Sequence, residues 1–170
     1  MNIKIEQGES EDLDGINDIY NYYVRNGNAT FDTVEWDQLL RAKWYQQFID
    51  NSELYKLFVA KLNGEVLGFA YNSKFKEKQA FFTSSEVTIY IRSGSEGNGL
   101  GDKLYQALLS AISNTSLHRL YAVITIPNAA SICLHEKFGF YQVGTMTEVG
   151  FKNGQYHSTV MLEKDISDRH

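Results

Sequence analysis

The sequence predicts a mixed α/β fold, and three observations carry that reading. Two-residue and 3.6-residue apolar patterns alternate along the 170-residue chain instead of segregating into halves. Asn63-Gly64 and Asn153-Gly154 each separate two strand-like runs, the strongest short-range hairpin signal. A glycine-rich loop, Gly94 to Gly101, stands where a strand pattern stops and a helical one begins. The expected order is β-α-α-β-β-β-α-β-α-β-β.

Each element has its own reason. Ile3 and Ile5 alternate with polar neighbours, which predicts a short first strand. Ser10 is the candidate cap of the next helix, where Leu13, Ile16, Ile19, Tyr20 and Tyr23 recur at three- and four-residue steps. NGNATFDT, Asn26 to Thr33, breaks that period and reads as a loop. Asp37 caps a second helix running to about Asp50, with Leu40, Trp44 and Phe48 expected inward. YKLFVAKL and EVLGFAYNS flank Asn63-Gly64 as a hairpin, and a long strand follows from about Ala80 to Ile91. After the glycine loop a helix runs to about Ser113, burying Leu100, Leu104, Leu108 and Ile112. HRLYAVIT reads as a strand, and Pro127-Asn128 opens a helix to about Phe138. FYQVGTMTEVGF and QYHSTVMLEK are the last two strands. No linker or repeat interrupts the chain, so one domain is expected over 1–170, with a core of 1–166 and a frayed tail at 167–170.

Composition narrows the function classes. Apolar residues make up 43% of the chain, enough for a core, and a chain this long buries roughly 70% of its unfolded surface. With 16 Lys+Arg against 21 Asp+Glu, the net charge of −5 argues against a nucleic-acid partner, which needs a basic stripe. It does not exclude a small anion held locally. Cys133 is the only cysteine, which excludes a disulfide framework, and it reads as a packing residue. His118, His157 and His170 show no metal-ligand spacing, so no metal is expected. The N-terminus lacks a basic region followed by an apolar one, and no apolar run approaches the ~18 residues of a membrane span, so no membrane partner and a cytoplasmic location are expected.

Gly94, Gly97, Gly99 and Gly101 can let backbone N–H groups approach a ligand at a helix N-terminus, where unpaired donors and the helix dipole favour an anion. The plain alternative is a flexible turn. A Walker loop needs Gly-Lys-Ser/Thr, but Asp102 follows Gly101. The dinucleotide fingerprint needs a third glycine where Asp102 stands. What remains is x-x-x-G-x-G, Glu96 to Gly101.

That segment, EGNGLG, resembles the acetyl-CoA pyrophosphate loop of the GNAT acetyltransferases, usually Q/R-x-x-G-x-G/A. IYNYYVRNGNATFDT, EVTIYI, NAASICLHEKFGF and EVGFKNGQYH resemble the branch that holds the phosphinothricin, methionine sulfoximine and methionine sulfone acetyltransferases. The resemblance covers nearly the whole chain. It implies a mostly antiparallel twisted sheet flanked by helices, with the acetyl-CoA strand bulged and splayed from its neighbour. It implies acetyl-CoA as co-substrate and a homodimer. It also places main-chain groups of Thr88, Ile89, Tyr90 and Ile91 on the pantetheine arm, and Glu96, Gly97, Asn98, Gly99, Leu100, Gly101 and Asp102 at the pyrophosphate. Glu96 departs from the usual Gln or Arg, and Asn98 from a frequent Arg. Arg92 and Lys103 are the nearby cations that would compensate.

Acetyl transfer to an amine needs a base, a polarised thioester carbonyl and a proton for the leaving thiolate. On a regular strand Glu86, Thr88 and Tyr90 share one face. Glu86 is either a solvated carboxylate or, facing an enclosed cleft, a base with raised pKa; the resemblance makes it the base. Asn128, Ser131 and His135 lie at i, i+3 and i+7, with Asn128 and His135 about 20° apart round a helix. The plain reading is a capped surface helix. The resemblance puts Asn128 and Ser131 at the pantetheine and makes His135 the acid, where most GNAT proteins have Tyr. By the same resemblance Lys76 and Lys78 hold the anionic end of the acceptor, and Phe31 and Tyr156 wall it. The remaining alternatives are an acetyltransferase for another amine, such as a peptide N-terminus or an aminoglycoside, and a non-catalytic acyl-CoA sensor.

Overall fold

The computed structural model describes residues 3–167. The chain runs β1 (Lys4–Gln7), α1 (Leu13–Asn26), α2 (Gln38–Asp50), β2 (Leu57–Leu62), β3 (Glu65–Lys74), β4 (Ser84–Ile91), α3 (Leu100–Ile112), β5 (Arg119–Ile126), α4 (Ala129–Lys137), β6 (Tyr141–Lys152) and β7 (Gln155–Asp165). This is the expected order, and the α/β class holds. The strands form one sheet in the order β1-β2-β3-β4-β5-β7-β6, antiparallel everywhere except between β4 and β5.

Each face of the sheet is covered for a reason visible in the pattern. Leu100, Leu104, Leu108 and Ile112 of α3 are buried against Ala60, Leu67, Ala70 and Val87. On the opposite face Ile16, Ile19 and Tyr20 of α1, with Phe48 of α2, pack on Val59, Phe69 and Tyr90. Each fully buried aliphatic side chain of this kind contributes roughly 1.5–3 kcal/mol. The turns at Asn63-Gly64 and Asn153-Gly154 carry positive φ, as those residue types favour.

Several expectations need correction. Leu40 is 44% exposed, and Arg41 is buried in its place. The Arg41 guanidinium carbon lies 4.8, 4.3 and 4.6 Å from the ring centroids of Tyr20, Trp36 and Trp44, and its Nε donates to Asn17 Oδ1 at 3.0 Å. The aromatic cage turns the helix so that 41, 44 and 48 face inward, and burial lowers the Arg41 pKa to about 10. Ser10 does not cap α1; it opens a short 3-10 turn capped by Glu9, whose N–H donates to Asp12 Oδ2. Residues Gln79–Phe81 form another 3-10 turn, so β4 starts at Ser84 and not near Ala80. Cys133 is exposed because it points off the packed face of α4. Ser167 N–H donates to Asp165 Oδ1 at 2.8 Å; the rest of the expected tail, 168–170, lies outside the described residues.

Pairing between β4 and β5 is short. Only Ser84↔Arg119, Ser85↔Leu120 and Glu86↔Tyr121 are in register, although each strand has eight residues. Beyond Glu86 the strands diverge, β4 staying on β3 and β5 on β7. The β3–β4 register runs without a shift, so the splay is present and the expected bulge is not in this ladder.

Candidate active site

The splay opens a cleft in the middle of the sheet. Glu86 sits where β4 and β5 part, and the cleft is bordered by Thr88, Tyr90, Val123, Thr125, Thr159, Tyr71 and loop residues Thr30 and Phe31. Among the described residues no Lys or Arg borders it. Desolvation raises the Glu86 pKa above the ordinary 4.5, which suits a carboxylate that must take a proton.

A second cavity adjoins the first. It is bordered by Ile89, Tyr90, Ile91, Glu96, Gly97, Gly99, Leu100, Gly101 and Asp102, and it shares Asn128 and Ser131 with the first. The first bond of α3 runs from Lys103 N–H to Gly99 O at 3.2 Å, so the amides ahead of Lys103 have no intrahelical acceptor. Gly97 and Gly99 have φ of 78° and 69°, and a Cβ at either would meet nothing within 4 Å, so their value is backbone conformation. Glu96 turns back into the loop and accepts from Gly94 N–H at 2.7 Å. Asn98 Nδ2 donates to Ser95 O at 3.1 Å. The Asp102 charge is met by Lys137 of α4 at 2.8 Å. Arg92 does not compensate for Glu96: its Nε donates to Val66 O at 2.8 Å and lies 3.5 Å from Glu65. The open amides and glycine-lined wall fit a pyrophosphate.

Asn128 caps α4, its Oδ1 accepting from Ser131 N–H at 3.1 Å. His135 is buried with both ring nitrogens engaged. Its Nδ1 lies 2.7 Å from Ser131 O and its Nε2 2.5 Å from Tyr105 Oη. A carbonyl only accepts, so Nδ1 carries hydrogen and Nε2 of the neutral ring accepts from Tyr105. Burial lowers the His135 pKa and lifts that of Tyr105 well above its usual value. The sequence reading gave the acid role to His135 alone; the unit present is a Tyr105–His135 pair.

The family profile for an acetyltransferase (GNAT) domain matches residues 5–161. The chain belongs to this GNAT family. Over 166 residues it is 39% identical to a phosphinothricin N-acetyltransferase of Streptomyces coelicolor, covering 96% of each chain. It is 33% identical to an L-methionine sulfoximine/L-methionine sulfone acetyltransferase of Pseudomonas aeruginosa, covering 98% of this chain and 96% of the relative. Among solved GNAT structures, a phosphinothricin acetyltransferase of Sinorhizobium meliloti in complex with AcCoA superposes with a TM-score of 0.91 at 29% identity, over 97% of this chain and 89% of that one.

Not every predicted residue reaches this GNAT site. Glu86, Thr88, Ile89, Tyr90, Asn128, Ser131, His135 and Phe31 border the first cavity. Lys76 and Lys78 do not. Lys76 Nζ lies 5.1 Å from the ring centroids of both Phe75 and Phe81, a cation–π pairing that holds it on the β3–β4 loop. The Lys78 carbonyl accepts from Phe81 N–H at the start of the 3-10 turn. Tyr156 is 65% exposed, its ring 5.0 Å from that of Phe151 across the hairpin. Sequence reasoning missed Tyr71, Tyr105, Thr125 and Thr159. Strand alternation was the available signal for Thr159, since His157, Thr159 and Met161 share a face of β7.

The loop carrying Phe31 is anchored from across the cleft. Buried Lys152, at the end of β6, donates through Nζ to Thr30 O at 2.8 Å and Tyr23 O at 3.2 Å. Tyr20 Oη and Trp36 Nε1 both donate to Asp32 Oδ2.

Proposed function

We propose that this chain is an acetyl-CoA-dependent N-acetyltransferase for the amino group of a small amino acid analogue of the phosphinothricin, methionine sulfoximine or methionine sulfone type. The observation that carries it is the β4–β5 splay, with a desolvated Glu86 at its apex beside a glycine cradle. The names of the relatives support the acceptor class.

In this reading Gly97, Gly99, Leu100 and Gly101 hold the pyrophosphate by backbone N–H groups. The unpaired edge of β4 at Thr88–Ile91 holds the pantetheine arm, and Asn128 and Ser131 border it. A β4 N–H polarises the thioester carbonyl. Glu86 takes a proton from the acceptor ammonium, directly or through water. The amine nitrogen then bonds to the acetyl carbon and the carbon–sulfur bond breaks. The nitrogen passes its second proton to water and Glu86 returns its own to solvent, while the departing thiolate takes a proton through His135, the member of the Tyr105–His135 pair that borders the cleft, and the pair is refilled from solvent. No covalent enzyme intermediate is needed, and Cys133 lies outside the cleft lining. Phe31 walls the acceptor.

The chain acts as one domain and as a homodimer. Tyr141, Val143, Val149 and Phe151 leave an apolar surface on edge strand β6, which supports the pairing. Light scattering at micromolar concentration tests it.

Thiol release from acetyl-CoA across phosphinothricin, methionine sulfoximine, methionine sulfone, ordinary amino acids and an aminoglycoside tests the activity. Turnover confined to the analogues is expected. Turnover with the aminoglycoside alone would replace the acceptor, and bound acetyl-CoA with no turnover would make the chain a sensor.

A further inference from the structure

The described residues leave a buried hydroxyl without a partner at the cleft, and nothing in the acetyl-transfer chemistry above uses it. Thr159 of β7 is 2% exposed, and its Oγ1 has no hydrogen-bond partner among them. Its neighbours on either side in the sheet are Thr125 of β5 and Met146 of β6. Val160 and Leu162, on the other face of β7, lie in the apolar core, so the strand is held firmly behind it.

An unpaired buried hydroxyl is destabilising, and valine has the same shape without that cost. The position therefore favours valine unless something entering the cleft uses the hydroxyl. The surroundings define what that is. Phe31, Val123 and Glu86 border the same cleft and, among the described residues, no Lys or Arg does; in the reading above the amine end lies at Glu86. A full carboxylate would be desolvated there without a counter-charge. The oxygen of a neutral sulfone or sulfoximine is a strong acceptor that needs one donor and no counter-charge.

We propose that the Thr159 hydroxyl donates a hydrogen bond to a side-chain S=O oxygen of the acceptor, so that this residue selects sulfone and sulfoximine amino acid analogues over their thioether counterparts. This rests on the acceptor class proposed above. A site built to hydrogen-bond an oxygen rejects the analogue lacking it, because the buried group is then left unpaired.

The test compares wild type, Thr159→Val and Thr159→Ser on methionine sulfone and methionine. Methionine is followed as substrate, or as competing inhibitor where turnover is slow. In Thr159→Val the preference for sulfone over methionine should fall roughly ten- to a hundredfold. Thr159→Ser, which keeps the hydroxyl, should restore most of it. The thermal midpoint of Thr159→Val should be no lower than that of wild type, because the hydroxyl has no partner to lose. An equal loss on both acceptors, or an unchanged preference, overturns the assignment. A wild type that acetylates none of the analogues overturns the acceptor reading and this inference with it, whereas an active wild type with an indifferent Thr159→Val overturns the inference alone.

Discussion

Replacing Gly150 with alanine tests whether Phe31 walls the acceptor. A Cβ built on Gly150 would lie 2.4 Å from Phe31 Cε2 and 2.7 Å from Cδ2 and Cζ. Carbon atoms pack at about 3.5–4.0 Å, so the ring must retreat by at least about 1 Å. The Gly150 backbone adds no strain of its own, since it is not among the residues with positive φ. The three nearest atoms to the added methyl all belong to Phe31, so the perturbation acts first on that ring. The ring is partly exposed on a loop and can move, so the change should cost little stability. A 1 Å misplacement of a positioned substrate can cost on the order of a hundredfold in rate. We expect Gly150→Ala to lower kcat/KM for the acceptor by roughly ten- to a hundredfold, with the acetyl-CoA KM close to wild type. The assay is steady-state thiol release with each substrate varied, repeated in a Phe31→Ala background. There the added methyl meets no ring, so the Gly150→Ala effect should vanish. An equal effect in both backgrounds would refute the route through Phe31. No effect in either would remove Phe31 from the acceptor wall.

Three further outcomes follow from the geometry. Glu86→Gln should lower kcat by about 10²- to 10⁴-fold with acetyl-CoA binding by calorimetry retained; in wild type, kcat/KM should fall as pH drops through a Glu86 pKa above 4.5, because the carboxylate must be ionised to accept a proton. Glu96→Gln keeps an oxygen for Gly94 N–H but removes a negative charge beside the cradle; one unit charge at about 6 Å in water is worth about 0.7 kcal/mol, so the KM for acetyl-CoA should fall about threefold at low salt and less at high salt. Leu104→Ala, at a fully buried position, should cost about 2–5 kcal/mol in denaturant unfolding.

Local rules account for most of the fold. Asn63-Gly64 and Asn153-Gly154 fix hairpin turns by their own conformational preference, and Leu100, Leu104, Leu108 and Ile112 fix the buried face of α3 by spacing alone. The glycine loop and the Asn128 cap were legible for the same reason. Failures begin where distant side chains decide. Leu40 lost the interior to Arg41 because three rings from separate segments form a cage that no hydropathy pattern encodes. The contact of the Lys76 ammonium with Phe75 and Phe81 is likewise invisible in the sequence. His135 was read alone because Tyr105, thirty residues earlier in another helix, cannot be seen as its partner from spacing. Thr159 is unremarkable on β7 until the β4–β5 splay puts a cleft in front of it.

That splay also leaves little backbone pairing between the two halves of the sheet. The ladder β1-β2-β3-β4, with α1, α2 and α3 packed on it, meets the ladder β5-β7-β6 through three rungs ending at Glu86 and Tyr121. Backbone pairing can thus propagate opening within each half more readily than across the seam. A ligand arm lying along Thr88–Ile91 would occupy that seam and act as a removable strand. Cofactor occupancy would then set how far the two halves fluctuate as one body, and substrate binding would become a determinant of mechanical integrity.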